Sequence, residues 1–380
     1  MKFDESLLYN IKSDYQGIRY SLFDLAIWKN GLAFKKINFS DRGLPVIKIA
    51  ELNNGISSNT SLTQGDYGKE VFVQWDDLLF SWSGNPQTSI DVFRYRLPDG
   101  WLNQHIFKVT ANSNLVTKDF LYYTLKYLKP YFTQIATNKQ TTGLGHVTIA
   151  DLKRMSVVIP QKEIQEQITS ILKAIDDKIE VNSNINENLE QQAQAIYCDM
   201  FITNANPSWQ LGRLSDLIAV RYGKNHKKLA DGIYPVYGSG GIMRYAEKPL
   251  YDKESVLIPR KGTLNNVMYV NKPFWSVDTM FFTEMKLPNV AKFVFHFVKS
   301  KDLASLNAGS AVPSMTTDIL NAMELSIPDA NTLYKFENIV APMYQAMQQN
   351  TQQSSKLAEL RDSLLPRLMS GEIDVTDIQI

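Results

Sequence analysis

The chain holds one cysteine, Cys198. That excludes an intramolecular disulfide and any zinc site built on several thiolates, and leaves a small packed thiol on a helix as its plain reading. The four histidines, His105, His146, His226 and His296, are scattered, with no metal-ligand spacing between them. No apolar run approaches the ~18 residues of a membrane span, and the opening MKFDESLLYN lacks a signal peptide's apolar core. A cytoplasmic protein with no membrane partner is the expectation. Charge of one sign is missing as well. Forty Lys and Arg face 39 Asp and Glu, so no global field pulls the chain towards nucleic acid, and any such contact must be local.

Catalytic signatures are equally scarce. GSGG (Gly238 to Gly241) has no Gly-Lys-Ser/Thr after it and reads as a turn. SGNP (Ser83 to Pro86) brushes against an amino-methyltransferase Asn-Pro-Pro-aromatic motif, but Gln87 and Thr88 follow and no glycine-rich cofactor loop accompanies it. The pair Asp176-Asp177 falls on the polar side of a helix, where solvated carboxylates are ordinary. The expectation is a chain with no catalytic residue, no metal and no cofactor of its own.

A helix that occurs twice organises what is there. From about Gln161 to Phe201 an apolar seam runs Ile164, Ile168, Ile171, Ile175 in alternating steps of four and three, is interrupted at Lys178 and Asn182, and resumes as Ile185, Leu189, Ile196. Between about Asp329 and Met369 it returns as Phe336, Ile339, Met343, Leu357 and Leu364, with Asn350 standing 168 residues after Asn182. VVIP (Val157 to Pro160) precedes the first copy and LSIP (Leu325 to Pro328) the second. An apolar stripe must be buried, and the simplest partner for one copy is the other, with the two Asn fixing register. Pro342 predicts a break, a short helix before it and a longer one after.

The two globular segments share the order of their parts. Asp24-Leu25 matches Asp216-Leu217, DLLFSWSGN from Asp77 matches SVLIPRKGT from Ser255, and NQHIF from Asn103 matches VDTMF from Val277. One helix is expected over KDFLYYTLKYLKPYF; its KDFLYYTLKYL matches NVAKFVFHFVKS (Asn289 to Ser300), and TTGLGHVT matches LNAGSAVPSMT. The chain therefore reads as a duplicated α+β unit. Its predicted parts are an N-terminal helical arm (1–19), a first globular domain (20–160), a first helical region (161–206), a second globular domain (207–328), and a second helical region with a tail (329–380).

Both globular segments carry polar loops at matching places. The first offers Lys35, Lys36 and Arg42, then Ser81, Trp82, Ser83, Asn85 and Gln87, then Asn138, Lys139 and Gln140. The second offers Arg221, Lys224, Asn225, His226, Lys227 and Lys228, then Arg260, Lys261, Asn265 and Asn266, with Ser310 in a later loop. Lys and Arg neutralise phosphates, and Arg, Asn and Gln can grip base edges with two hydrogen bonds. The competing reading is a coiled-coil scaffold that binds only proteins.

IPQKEIQEQITSILKAIDDKIEVN (Ile159 to Asn182) and LAELRDSLLPRLMSGEI (Leu357 to Ile373) resemble the two helical regions of type I restriction–modification specificity subunits. With two divergent globular domains, the resemblance covers essentially the whole chain. It departs at YSLFDLAIW, which lacks the tryptophan that opens the second domain at Trp209. The resemblance implies two target recognition domains, each reading half of a split double-stranded DNA sequence. It implies an antiparallel coiled coil that docks methyltransferase subunits, two of them, with S-adenosylmethionine held there. It also implies assembly with endonuclease/translocase subunits. A helix of ~38 residues is ~57 Å long, which would fix the gap between half-sites.

Overall fold

Local chemistry starts each globular segment in the same way. In the first, the Ser21 hydroxyl accepts the Phe23 N–H (3.2 Å) and caps the turn Leu22–Leu25, whose leucines are fully buried. In the second, an Asp216 carboxylate oxygen accepts the Arg213 N–H (2.7 Å) and holds the turn Leu214–Leu217, with both leucines again buried. These features come from a computed structural model that describes residues 16–140, 143–306 and 314–375. The chain divides into two compact units, residues 1–180 with 353–380, and residues 181–352.

In the first unit Gly17–Ser21 pairs antiparallel with Ser156–Pro160 and ties the start of the segment to its end. Gly17 to Arg19 were expected in a helical arm; they lie in this strand pair instead, while residues 1–15 lie outside the described residues. An antiparallel sheet follows in the order Ala26–Asn30, Ile106–Ala111, Leu78–Ser81, Asp91–Arg94. Alternation along it is clean. Leu78 and Phe80 enter the main core with Phe107 and Val109, and Leu79 enters a smaller one with Ile47 and Val73. A second sheet sets Leu44–Ile47 parallel to Gly100–Leu102. The helix Lys118–Tyr127 covers the first sheet with Phe120, Leu121, Thr124 and Leu125. The single helix expected here is two: the chain breaks at Leu128 and restarts as Lys129–Asn138, with Pro130 in its first turn, where a missing N–H costs nothing.

The second unit repeats the plan. Gln210–Arg213 pairs with Glu324–Ile327, and a sheet runs Ile218–Tyr222, Met280–Met285, Ser255–Pro259, Met268–Val270, the same order strand for strand. Asp231–Gly238 runs parallel to Trp275–Ser276 as Leu44–Ile47 does to Gly100–Leu102. The helix Ala291–Lys299 is buried along almost its whole length. The short helices Ile149–Arg154 and Thr317–Asn321 are each capped by a threonine, Thr148 and Thr316.

Two long helices, Lys162–Cys198 and Ala330–Met369, complete the units, the first closing in a π-helical turn, Asp199–Thr203. They are antiparallel. In the second unit Asn186 bonds to the Met347 carbonyl, and Tyr197 packs against Phe336. In the first, Arg361 Nη1 donates to Asp176 Oδ1 (2.8 Å). The expected break at Pro342 is absent. Pro342 faces solvent, where the freed carbonyl can bind water, while Phe336, Val340 and Tyr344 stay buried on the opposite side. The seam also differs past Asn182. Ile168, Ile175, Asn182 and Phe336 are buried as expected, but Ile185 and Ile339 are 41% and 47% exposed, and Leu172, Ala193, Tyr197, Val340 and Tyr344 are buried beside the expected positions. Asn186 takes the seam position beside Ile185 because its amide bonds to Met347 and Thr351 across the pair.

Candidate nucleic-acid interface

Several loops converge at one edge of the second unit. The strand Ile218–Tyr222 ends, and the chain passes Gly223, where an added Cβ would lie 2.0 Å from the Val277 carbonyl oxygen. The Lys224 N–H then donates to Ser276 O (2.8 Å) and Trp275 Nε1–H donates to Lys224 O (2.8 Å), which leaves the side chains of Lys224, Asn225, Lys227 and Lys228 exposed. Asn225 Oδ1 accepts the Lys227 N–H (2.9 Å), and His226 is half-buried. From the next strand, the Arg260 N–H donates to Thr279 O (2.9 Å), and Arg260 O accepts the Met315 N–H (2.9 Å). Lys261 forms a bridge with Ser314. Asn266 Nδ2 donates to Ser239 O (2.8 Å), joining the GSGG turn to this loop. Ser310 lies outside the described residues.

Charge at this edge is uncompensated. Among the described residues Arg260, Lys261, Lys224, Lys227 and Lys228 form no ion pair, and the Arg260 guanidinium rests 5.6 Å from the centroid of the Tyr222 ring. Two candidates are already engaged by neighbouring side chains at the surface. Asn265 Nδ2 donates to Asp302 Oδ1 (3.0 Å) and Asn265 Oδ1 accepts the Ala304 N–H (3.0 Å), and Arg221 pairs with Glu284 (2.9 Å).

The first unit presents the same frame. The Trp82 N–H donates to His105 O (3.2 Å) and Trp82 O accepts the Val147 N–H (2.8 Å), the bonds that Arg260 makes with Thr279 and Met315. Ser83 pairs with His146 as Lys261 does with Ser314. Trp82 Nε1–H donates to Asn30 Oδ1 (2.9 Å), and its ring stacks on Phe107. Lys35, Lys36, Arg42, Asn138 and Gln140 are exposed, as is Gln87. Asn85 Oδ1 accepts the Gln87 and Thr88 N–H groups. Ser81 is a correction: it is fully buried in a strand and cannot meet an external ligand. Lys139 is another. Its ammonium bonds both oxygens of Asp151, whose carboxyl desolvation would raise, but Lys139 and Thr148 outweigh that and hold it below the usual range. Asn30, Tyr222, His105 and Thr279 carried no signal in the sequence, because a strand end announces its neighbour only once the register is known.

Among the described residues no group of three or more His, Cys, Asp or Glu is placed to hold a metal, and no helix is long and apolar enough to cross a membrane.

A duplicated α+β chain with an equivalent loop edge in each repeat, and a long helix after each, is a two-headed binding protein. The family description "Type I restriction modification DNA specificity domain" matches residues 19–191 and again residues 206–354. The chain belongs to that family and carries two of its domains. It is 22% identical to the type I restriction enzyme HindI specificity subunit of Haemophilus influenzae, over 74% of this chain and 84% of the relative. It is 23% identical to the MjaIX specificity subunit of Methanocaldococcus jannaschii, over 74% and 77%. The type I restriction–modification S subunit from M. genitalium shares the fold, with a TM-score of 0.53 at 17% identity over 94% of this chain and 97% of that one.

Proposed function

We propose that each globular domain reads one half of a split DNA target in the cytoplasm, and that the helix pair sets the gap between the halves. Methylation and cleavage then belong to partners: methyltransferase subunits, two per chain, that carry S-adenosylmethionine, and endonuclease/translocase subunits. This chain supplies the address and no catalytic group. The observation that carries the reading is the repetition of one loop edge, with the same backbone hydrogen bonds and different side chains, in both domains. A protein that reads two unlike half-sites needs one way of docking and two ways of reading. Exposed apolar residues on the long helices, Val181, Ile185 and Leu360, support a protein partner there.

The test is co-expression with the cognate methyltransferase subunit, followed by sequencing of host DNA for methylated adenines. A split motif with a constant gap, absent when this chain is omitted, is expected. A stable complex that places no motif and whose DNA affinity is nil at low salt would favour the protein-only scaffold.

A further inference from the structure

The two repeats agree in backbone and differ in side chain at one place. Asn30 lies opposite Phe107 in its sheet, and Tyr222 lies opposite Phe281 in the other. The next residues, Gly31 and Gly223, donate their N–H to Ile106 O and Met280 O, both at 3.0 Å. Across from them stand Trp82 and Arg260, fixed by the paired backbone bonds described above. In one domain the contact is Asn30 with Trp82 through a 2.9 Å hydrogen bond; in the other it is Tyr222 with Arg260, guanidinium over ring. The aromatic and the polar partner have exchanged strands.

We infer that this pair of positions, 30 with 82 and 222 with 260, selects a base pair in each half-site. The inference rests on the DNA-reading function proposed above. The chemistry differs between the two domains in a way that sets what each accepts. The Arg260 guanidinium has no carboxylate partner among the described residues, and the ring of Tyr222 supports it. Its planar fork of donors fits guanine O6 and N7. Trp82 has spent its single N–H on Asn30 Oδ1, so the first domain offers the Asn30 amide N–H groups beside an apolar ring. That combination suits a base-edge acceptor next to a thymine methyl and does not suit two-pronged recognition of guanine.

The test uses the full chain with its methyltransferase subunit and reads the methylated motif. Arg260→Ala should relax the preference for guanine at one position of one half-site by roughly 5- to 150-fold, with the gap and the other half-site unchanged. The intact half-site reports folding and assembly within the same experiment. Arg260→Lys, which keeps the charge and loses the fork, should relax the same position. The double change Asn30→Tyr with Trp82→Arg should bring a guanine preference into the other half-site. A split wild-type motif that Arg260→Ala leaves untouched overturns the inference and leaves the function standing. If Arg260→Ala abolishes modification and Arg260→Lys restores the full motif, Arg260 serves as a point charge on phosphate, which also overturns it. A wild-type system with no split motif overturns the function and the inference together.

Discussion

His296 lies on the buried face of Ala291–Lys299. Its Nδ1–H donates to Gln194 Oε1 (2.7 Å) and its Nε2 accepts the Tyr344 hydroxyl (2.9 Å), so the neutral ring is fully satisfied. Burial, with the Lys299 charge behind it, pushes its pKa down to about 4. A proton therefore prefers the unfolded chain. The stabilisation is complete above the unfolded value of 6.5 and is lost as pH falls from 6.5 towards 4, up to about 3 kcal/mol. Denaturant unfolding at pH 7 and pH 4.5 should show this loss, and His296→Gln should be less stable at pH 7 yet flatter across the interval. An equally steep profile in the variant would remove His296 as the source of the loss. The first unit has a counterpart of different chemistry: Tyr123 donates to Asp176 (2.7 Å), which also binds Arg361. None of this was legible in the sequence. A lone histidine in an apolar run reads as packing, and its partners come from two helices far apart in the chain.

At the scale of elements, the order of parts in the two repeats was legible almost completely. The matches of Asp77 with Ser255 and of Asn103 with Val277 place Trp82 on Arg260 and His105 on Thr279, the residues whose backbone bonds coincide. The helix pair was legible in its orientation and in the pairing of Asn182 with Asn350 at its middle; it was misread at Ile185 and Ile339, which are exposed, and at Pro342, which does not interrupt the helix. Asn182 Nδ2 reaches the Asn350 carbonyl (3.5 Å), Asn350 Nδ2 donates to Asn186 Oδ1 (2.9 Å), and Asn186 bonds on to Met347 and Thr351. Asn182 and Asn350 are repeat equivalents that meet, which happens only at the midpoint of an antiparallel pair. Such a cluster costs stability and rejects shifted pairings. Asn350→Leu alone strands the Asn186 carbonyl and should lower stability by about 1–2 kcal/mol. Adding Asn182→Leu and Asn186→Leu should restore or exceed the wild-type melting temperature while broadening the gap in the methylated motif. A triple variant that melts below the single one would show that the cluster stabilises the pair outright.

At the scale of the whole molecule, the long helices hold 37 and 40 residues, about 55 and 60 Å at 1.5 Å per residue. A ruler made of two antiparallel helices cannot be cut on one side only, since a deletion in one helix shifts every contact with the other. The matched cut removes residues 178–184 and 348–354, one heptad from each helix about the Asn182–Asn350 contact. The apolar faces on either side then meet again with a rotation of about 20°. The pair shortens by about 10 Å, close to three base pairs of duplex at 3.4 Å each. Both half-site sequences should survive and their gap should fall by about three base pairs. Three base pairs also turn the duplex by about a third of its ~10.5 base-pair repeat, so modification should weaken as the gap changes. The methylated motif of the shortened chain checks the prediction directly. An unchanged gap with both half-sites retained would remove the helix pair as the ruler and leave the spacing to the partner subunits.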